Sequence, residues 1–457
     1  MNKEPETKGT NIRDFTTGGV PKQLVLFATP LFLSSLLQVV YNMADMIIVG
    51  QKLGKMGLSA VSIGGDVTGF LTFIAMGFAG AGQVIISQYI GSGQRHKISR
   101  FIGTMFCSLM ICAVVISAVC LSLRTQLLTL MNTPPEAFDE AMAYSAVSIT
   151  GLVFIYGYNI ISAVLRGMGD SIRPFYFIGI AAVGNIILDI IFVWFMGLGS
   201  MGAALATVIS QAFSFISCTI YVVRHKDRYE LTFSREEILC IDRGMLADLA
   251  RLGIPMAIKF ASITLSKLFV NSFINSYGVA VSAFSGIAHK IATMANMVSN
   301  SFNTAGSSMV GQNIGAGKFD RVGKVMKAVF SITFTIAAIL SAIMIFFPEQ
   351  LFGIFTTDEE VIAIGLKYVP IGVLMFMGSA ARSGMNALIN GSGNYKVNFV
   401  TAILDGIIMR IGLALLFGIT LGMKYYGFWL GDALAGFTPL VIGSVFYATG
   451  RWKKRAV

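Results

Sequence analysis

The sequence predicts an all-α integral membrane protein with about twelve transmembrane helices in two parallel, pseudo-symmetric six-helix lobes around a central cavity. Of its 457 residues, 55% are hydrophobic and only 12% are charged, and the mean hydropathy is +0.74. A soluble chain of this length could not cover its surface with so few charges. Continuous apolar runs, at residues 105–123 and 329–347 for example, are long enough to cross a membrane as helices. They do not alternate with polar residues, which argues against a barrel.

The two lobes are predicted from a repeat. The motif GSG at 91–93 recurs as GAG at 315–317, and GMG at 167–169 recurs as GSG at 391–393, both at a spacing of 224. Pro30 recurs as Pro255 at a spacing of 225. A spacing this long exceeds the unit of any solenoid. The chain is therefore interpreted as two copies of one domain.

Apolar stretches between polar or glycine-rich breaks predict the individual helices, to within a few residues. They fall near 20–48, 57–83, 101–123, 140–164, 174–195, 202–223, 247–275, 281–308, 325–347, 362–388, 398–420 and 427–449.

Lysine and arginine predict the orientation. Alternate connections, with both termini, hold 24 of the 34 basic residues, whereas the opposite connections hold 5. The positive-inside rule then places both termini in the cytoplasm of a plasma-membrane protein. Six helices per lobe is an even number, so both lobes enter the membrane in the same direction. The expected segments are a cytoplasmic tail at 1–16, lobes at 17–224 and 247–450, a linker at 225–246 and a basic tail at 451–457. The polar residues 1–16 do not resemble a signal peptide.

Charge, motifs and residue types argue against several other function classes. The net charge of +11 follows from the cytoplasmic loops and does not indicate a nucleic-acid partner. The GSG-type motifs lack the strand and the lysine of a phosphate loop, so they are predicted to be turns. No nucleophile with a base and no metal triad occurs at membrane depth, so no enzyme and no cofactor are expected. No spacing suggests a disulfide framework or a metal site among the cysteines, which are Cys107, Cys112, Cys120, Cys218 and Cys240.

Six segments together resemble the multidrug and toxic compound extrusion (MATE) family of secondary transporters. The resemblance covers roughly residues 20–450 and depends on the order, spacing and duplication of the motifs. It implies export of drug-like small molecules, amphipathic and often cationic, driven by inward flow of H⁺ or Na⁺. We expect a monomer among membrane lipids that confers antibiotic resistance. The segments are PLFLSSLLQVVYNMADMIIVG (30–50), SQYIGSGQRHKISR (87–100), LRGMGDSIRP (165–174), GNIILDIIFVWFMGLGSMGAALATVISQ (184–211), VGQNIGAGKFDRVGK (310–324) and INGSGN (389–394).

Carboxylates inside the membrane are candidate functional groups, because a charge there costs at least ~2.5–3.5 kcal/mol. Asp45 lies in predicted helix 1 and Asp189 in helix 5, with Asn185 four residues earlier on the same face. Two carboxylates in a dry site cannot both ionise cheaply, so the pair can hold a proton. The interior acids, counted beyond the first residues of each span, are Asp45, Asp66, Asp189, Asp405 and Asp432.

The resemblance carries a cation-coupling site over onto Asp45, Asn185, Asp189 and Thr207. Their carboxylate, amide and hydroxyl oxygens suit a proton or Na⁺. The alternative is that these groups only hydrogen-bond helices to one another. The second copy has no such cluster: the matching positions are Val270, Met409, Leu413 and Gly431.

Three further residues accompany this site. Pro30 frees a backbone carbonyl in helix 1 and is a candidate for helix bending, with a static kink as the alternative. Tyr41, one turn before Asp45, and Asp66 are candidate cavity or substrate-contacting residues.

The second lobe carries basic residues where some family members have a membrane glutamate in helix 7. Asp405 is expected to form a buried ion pair with Arg410, Arg382 or Lys290. A lipid-linked oligosaccharide flippase, from the same superfamily, is the alternative function. It would use several cations of one hydrated cavity to hold pyrophosphate. The candidates are Lys259, Lys267, Lys290, Arg382 and Arg410.

Overall fold

A computed structural model describes residues 10–234, 237 and 241–453. All the regular secondary structure of this part is helical, which confirms the predicted fold class. Each of the twelve predicted segments coincides with helix. Cys240 lies outside the described residues.

The first copy contains helices α1 to α6. The stretch Val20–Gly91 comprises α1 and α2, which meet at Gly54, where the backbone is not helical (φ 62°, ψ −149°). At 1.5 Å per residue, 72 residues would extend about 108 Å, far more than one crossing needs. The others are α3 (Ile98–Ser122), α4 (Phe138–Thr150 with Leu152–Gly167), α5 (Ile172–Asp189, continued by Ile190–Phe195) and α6 (Gly199–Arg224).

The second copy repeats this order as α7 to α12. They are α7 (Arg243–Asn275), α8 (Val279–Gly315), α9 (Phe319–Phe346), α10 (Glu359–Gly391), α11 (Tyr395–Thr420) and α12 (Lys424–Ala435 with Thr438–Ala448). Even a short helix after the third span recurs, as Arg124–Leu130 and Pro348–Gly353.

Nine helices of the described part are long and apolar enough to cross a membrane, or ten if the two parts of α4, bent by 43°, form one span. One of the nine is the stretch Val20–Gly91, which comprises both α1 and α2. The helix α8 is not among them, although it has 37 residues. It buries polar side chains such as Ser299, Ser307 and Asn313. Because protein rather than lipid surrounds these groups, α8 does not need a fully apolar surface.

The glycine motifs of the repeat are turns, as predicted. Their last glycines, Gly93, Gly169, Gly317 and Gly393, have φ between 69° and 85°. This left-handed conformation is accessible to glycine at no steric cost, whereas other residues rarely adopt it. The repeated glycine therefore preserves a tight turn between spans.

Three helical segments are wound as π-helix. One follows Asp189 in α5 (Ile190–Phe195), and two lie in α11 (Leu404–Ile408 and Leu416–Thr420). The segments at 190 and 416 occupy matching places in the two copies, within two residues. Wide turns of this kind often lie beside functional groups.

The chain divides into two compact units at its repeated prolines. Unit 1 comprises Pro30–Gly253 with the described residues up to Asp14, and unit 2 comprises Phe15–Thr29 with the chain from Ile254 onward. Thus α1 changes unit at Pro30, and α7 changes unit immediately before Pro255. In unit 2, Gln312 accepts a hydrogen bond from Phe15 N at 2.9 Å. The predicted lobe boundaries remain a prediction.

Candidate functional site

Unit 1 brings four sequence-selected residues to one buried place. Asp45 lies on α1, Asn185 and Asp189 lie one turn apart on α5, and Thr207 lies on α6. Asp45 is 6% exposed, Asn185 1% and Asp189 0%. Three helices therefore contribute to a cluster that is closed to solvent.

Asp45 is held by two donors. In the amide orientation that satisfies its neighbours, Asn185 donates to Asp45 Oδ1 at 3.0 Å and accepts from Thr207 N at 3.3 Å. The Thr207 hydroxyl lies 3.4 Å from Asp45 Oδ2, to which it can donate. These contacts fix the position of one carboxylate and connect α1, α5 and α6.

Asp189 is different, because neither of its oxygens has a hydrogen-bond donor within the described part of the chain. Its carboxyl group lies within hydrogen-bonding reach of Asp45. Two carboxylates are both acceptors, so this contact becomes favourable only with a proton or a cation between them. No Lys, Arg or His of the described residues forms an ion pair with either acid.

The surroundings of the pair are apolar. Val49, Val61, Val193 and Ala203 form a buried cluster with Tyr144, beside the acids. Val193 belongs to the π-helical segment that follows Asp189. The low polarity of this environment strengthens any interaction of the two carboxylates with a small cation.

Two polar residues near the acid pair and Tyr41 were not identified from the sequence. Tyr144 of α4 lies within electrostatic range of both carboxylates and of Tyr41. Gln211 of α6 hydrogen-bonds the side chain of Tyr41. Tyr144 recurs as Tyr368 at the spacing of 224, so the comparison of the two copies did not set it apart.

The other residues selected in unit 1 lie outside the cluster. Pro30 is inside α1, several turns before Asp45, and its carbonyl accepts a hydrogen bond from the Ser34 hydroxyl at 2.8 Å. Asp66 is exposed on α2 and shows no hydrogen bond or ion pair within the described residues. Asp66 is therefore not part of the buried site.

The acids of unit 2 are neutralised by arginine. Asp405 Oδ1 lies 3.1 Å from Arg382 Nη2 and 3.3 Å from Arg410 Nη2, and Arg410 also pairs with Asp432. Asp405 is 0% exposed and Arg410 is 2% exposed. Buried pairs of this kind stabilise a fold only while every partner is present.

The five basic residues proposed for a flippase do not line one recess. Arg382 and Arg410 bind the acids, and Lys259 donates to Asn386 Oδ1 at 2.6 Å. Lys290 is exposed. Unit 2 has a recess between α7, α8, α10 and α12, and of the five basic residues only Lys267 lines it. The arrangement expected of a pyrophosphate-binding cavity is therefore absent from the described part of unit 2.

A family model, MatE, matches the chain twice, at residues 30–191 and 255–416. The two matches are offset by the same spacing as the repeated prolines, and each starts at one of them. They cover well over half of the chain.

Curated proteins and solved structures match over nearly the whole chain. The probable multidrug resistance protein YpnP of Bacillus subtilis is 28% identical over 440 residues, which cover 96% of this chain and 97% of that protein. The probable multidrug resistance protein NorM of Thermotoga maritima is 24% identical, over 96% and 94% of the two chains. A MOP superfamily transporter from Pyrococcus furiosus has the same fold, with a TM-score of 0.90 at 23% identity over 98% of this chain and 100% of the other. An outward-facing multidrug resistance MATE family transporter gives 0.89 at 22%, over 97% and 98%.

Proposed function

The chain belongs to the MatE family of multidrug and toxic compound extrusion transporters, and from this premise we propose that it exchanges drug-like compounds for H⁺ or Na⁺ at the Asp45–Asp189 pair. It is a multi-pass membrane transporter of the multidrug efflux type and not an enzyme. Transporters of this family need no cofactor and use ion gradients.

One observation carries the assignment of the coupling site. Asp189 is fully buried and neither of its oxygens has a donor among the described residues, while Asp45 lies within reach. An isolated buried charge costs several kcal/mol, so the pair is stable only when it holds a proton or another cation. Binding of that cation is the event that coupling requires.

The coupling follows from a shared conformational equilibrium. The cation enters from outside and binds the pair, which favours the conformation that releases the drug. The drug binds from the cytoplasm or the inner leaflet and favours the opposite conformation. Each ligand shifts the equilibrium only by its difference in affinity for the two states. Pro30 supplies a point at which α1 bends during this change.

The finer properties belong to the same proposal. The substrates are amphipathic organic compounds, often cationic, that reach the transporter from the cytoplasm or the lipid. The protein works as a monomer in the plasma membrane with both termini in the cytoplasm, as the distribution of Lys and Arg indicates. For the P. furiosus transporter, a binding pocket of reverse polarity has been described. The sign of the substrate charge therefore has to be tested directly.

The flippase alternative is not favoured. The curated relatives are named as multidrug resistance proteins. Of the five cations that it needs, four lie outside the recess of unit 2.

Efflux from proteoliposomes tests the proposal. The purified protein is reconstituted with a fluorescent amphipathic cation, and efflux is followed under an imposed pH difference and then under an imposed Na⁺ difference. We expect acceleration by one of the two gradients and loss of that acceleration in Asp189→Asn. If neither gradient changes the efflux rate of the wild-type protein, the proposal is contradicted.

A further inference from the structure

In unit 2, the beginning of α9 and the end of α12 form a groove of about 410 Å³. Ligand sites usually range from about 300 to 1,000 Å³. Both helices are long and apolar enough to cross a membrane, so a groove at their ends lies near the membrane surface. None of the residues that line it belongs to the recess between α7, α8, α10 and α12.

Aromatic contacts hold the chain that follows α12 against α9. The indole N–H of Trp452 donates to the carbonyl oxygen of Tyr447 at 3.0 Å, and the two rings stack with centroids 5.4 Å apart. Trp452 also meets the ring of Phe319, on α9, edge to face at 5.8 Å. Trp452 is 3% exposed, whereas Tyr447 is 42% exposed. The groove is therefore built by packing, with the side chains that membrane proteins place at headgroup level.

The charge of the groove is mainly positive. Lys324, Lys327 and Lys453 line it, and the first two lie three residues apart on one face of α9. None of the three forms an ion pair with a residue that the structure describes. One acid, Asp320, also lines the groove and is exposed without an ion pair in the same part of the chain. Three lysines against one carboxylate favour an anionic ligand.

The matching place in unit 1 shows what such a basic surface binds. Arg100, on α3, corresponds to Lys324 at the spacing of 224. Arg100 pairs with Asp242 at 3.0 Å, and Arg95, just before α3, pairs with Glu230 at 2.6 Å. Both acids belong to the chain that connects α6 to α7. In unit 1, therefore, the protein itself supplies the anions for this surface.

The connecting chain of unit 1 also covers that surface. The backbone N–H of Thr232 donates to the Ser99 hydroxyl at 2.9 Å. Ser99 corresponds to Gly323, which has no hydroxyl and lines the groove of unit 2. Within the described residues, no segment of unit 2 takes the place of the connecting chain. The same surface that is closed in unit 1 is thus an open groove in unit 2.

The surface beside the groove indicates that the anion carries acyl chains. Val441 and Val445 lie one turn apart on α12 and are 64% and 61% exposed. They share a helix face with Ala448, which lines the groove. Apolar side chains exposed on a membrane span contact lipid. Basic pockets between the ends of membrane helices are typical sites for anionic lipid headgroups.

We propose that the groove binds the phosphate of an anionic phospholipid, with Lys324, Lys327 and Lys453 as counter-charges and the acyl chains along the exposed valines of α12. The site goes beyond the proposed export function and does not involve the coupling acids. In unit 2 the lipid takes the place that the connecting chain has in unit 1, and it joins the beginning of α9 to the end of α12.

Thermal unfolding of the full chain in a neutral detergent tests the proposal, because a ligand of the folded state raises the unfolding temperature according to its affinity. The probes are palmitoyl-oleoyl phosphatidylglycerol and the phosphatidylcholine with the same chains, which has a phosphate but no net charge. We expect the wild-type protein to bind phosphatidylglycerol at least about fivefold more tightly. Lys324→Gln and Lys327→Gln should each lower that affinity about fivefold, or about 1 kcal/mol per lysine.

A change of the opposite sign is expected at Asp320. Asp320→Asn removes a repelling charge from the groove and should raise the phosphatidylglycerol affinity by up to about fivefold. The variant in which Lys324, Lys327 and Lys453 are all replaced by Gln should bind the two lipids equally. A cooperative unfolding transition without added lipid shows that each variant is folded.

Lys396→Gln is the matched control, because Lys396 is an exposed lysine at the beginning of α11 in the same unit and does not line the groove. It should bind phosphatidylglycerol as the wild-type protein does. If Lys396→Gln loses as much affinity as Lys324→Gln, binding follows total charge and the proposal is overturned. It is also overturned if the wild-type protein does not prefer phosphatidylglycerol, or if the triple variant keeps the preference.

Inorganic phosphate distinguishes a lipid from a soluble anion. Compared with chloride at equal ionic strength, an excess of phosphate should leave the effect of phosphatidylglycerol on the unfolding temperature in place, because phosphate has no acyl chains. Complete loss of that effect would overturn the assignment to a lipid. Asp189→Asn should bind phosphatidylglycerol as the wild-type protein does, so failed lipid binding and failed coupling are distinguishable.

Discussion

Unit 1 and unit 2 are copies of one domain whose buried acids have different partners. In unit 1, Asp45 and Asp189 lie together without any basic partner in the described part of the chain. In unit 2, Asp405 and Asp432 are neutralised by Arg382 and Arg410. The two units share a backbone fold, and a few side chains determine whether their buried acids are neutralised.

The difference is instructive because the scaffold features do repeat. The left-handed glycines of the turns, the prolines near the unit boundaries and a π-helical segment late in the fifth span of each copy all recur. Groups that recur serve the fold of both copies. Groups that do not recur are therefore the better candidates for transport chemistry.

The largest effect is expected from removing the acids of unit 1. Asp45→Asn or Asp189→Asn should lower gradient-driven efflux by about 5- to 150-fold, the usual range of a coupling free energy. Efflux in proteoliposomes measures it, with membrane insertion checked by quantitation. Asp66→Asn is the matched control, since Asp66 is an exposed carboxylate of the same unit. Normal coupling in an Asp45→Asn/Asp189→Asn double variant would contradict the proposal that the acid pair of unit 1 is the coupling site.

Next in size is a stability effect in unit 2. Arg410→Gln leaves Asp405 and Asp432 short of a buried partner, so we expect a loss of about 3–5 kcal/mol of unfolding free energy. Asp189→Asn should cost nothing or stabilise, because Asp189 accepts no hydrogen bond from any residue that the structure describes. Thermal and denaturant unfolding of the purified proteins measure both.

An exposed ion pair is the control for that comparison. Arg95 and Glu230 lie 2.6 Å apart but are 40% and 42% exposed, so Arg95→Gln should cost less than about 1 kcal/mol. If Arg410→Gln proved as mild as Arg95→Gln, the buried network would not be structural.

The matching tyrosines provide a smaller and sharper comparison. Tyr144→Phe removes a hydroxyl that lies within electrostatic range of both acids, and it should change the cation dependence of efflux by up to about fivefold, the effect of about 1 kcal/mol. Tyr368→Phe should leave the cation dependence unchanged. The cation concentration that gives half-maximal efflux is the measurement. Equal shifts in both variants would contradict a coupling site confined to unit 1.

The matching prolines should give the smallest effect. Pro30→Ala restores a backbone donor in α1 and should slow efflux by about twofold to fivefold, on the scale of about 0.4–1 kcal/mol. Pro255→Ala should matter less, because the helix that it bends carries no coupling acid. Turnover under a fixed gradient measures both, and a larger loss in Pro255→Ala would count against helix bending at Pro30.

Much of the candidate site could be found from the sequence because a membrane makes interior acids rare. Asp45 and Asp189 were selected only because they lie well inside predicted spans. The four-residue spacing then placed Asn185 on the same helix face as Asp189. Asp66 also lies within a span, but it is exposed and outside the buried cluster, because depth does not specify the side of a helix. Tyr144 was missed, since tyrosines are common in membrane helices and only packing brings this one to the acids.

Breaks and bends within the helices also could not be predicted from the sequence. The bend of 43° within α4 and the break of α12 between Ala435 and Thr438 were not predicted. At the α4 bend, Gly151 packs against Val208 of α6, a contact between distant parts of the chain. Hydropathy is a local sum and carries no information about such contacts.

By itself, the sequence determined the membrane class, the duplication, the helix order and the acids worth examining, because hydropathy, glycine turns and charge depend on residue type and spacing. Only the tertiary structure decided which acids are neutralised. Asp405 and Asp432 bind arginines, whereas Asp189 has no donor in the described part of the chain. An ion pair depends on a few ångströms between side chains of different helices, and helix packing alone sets that distance.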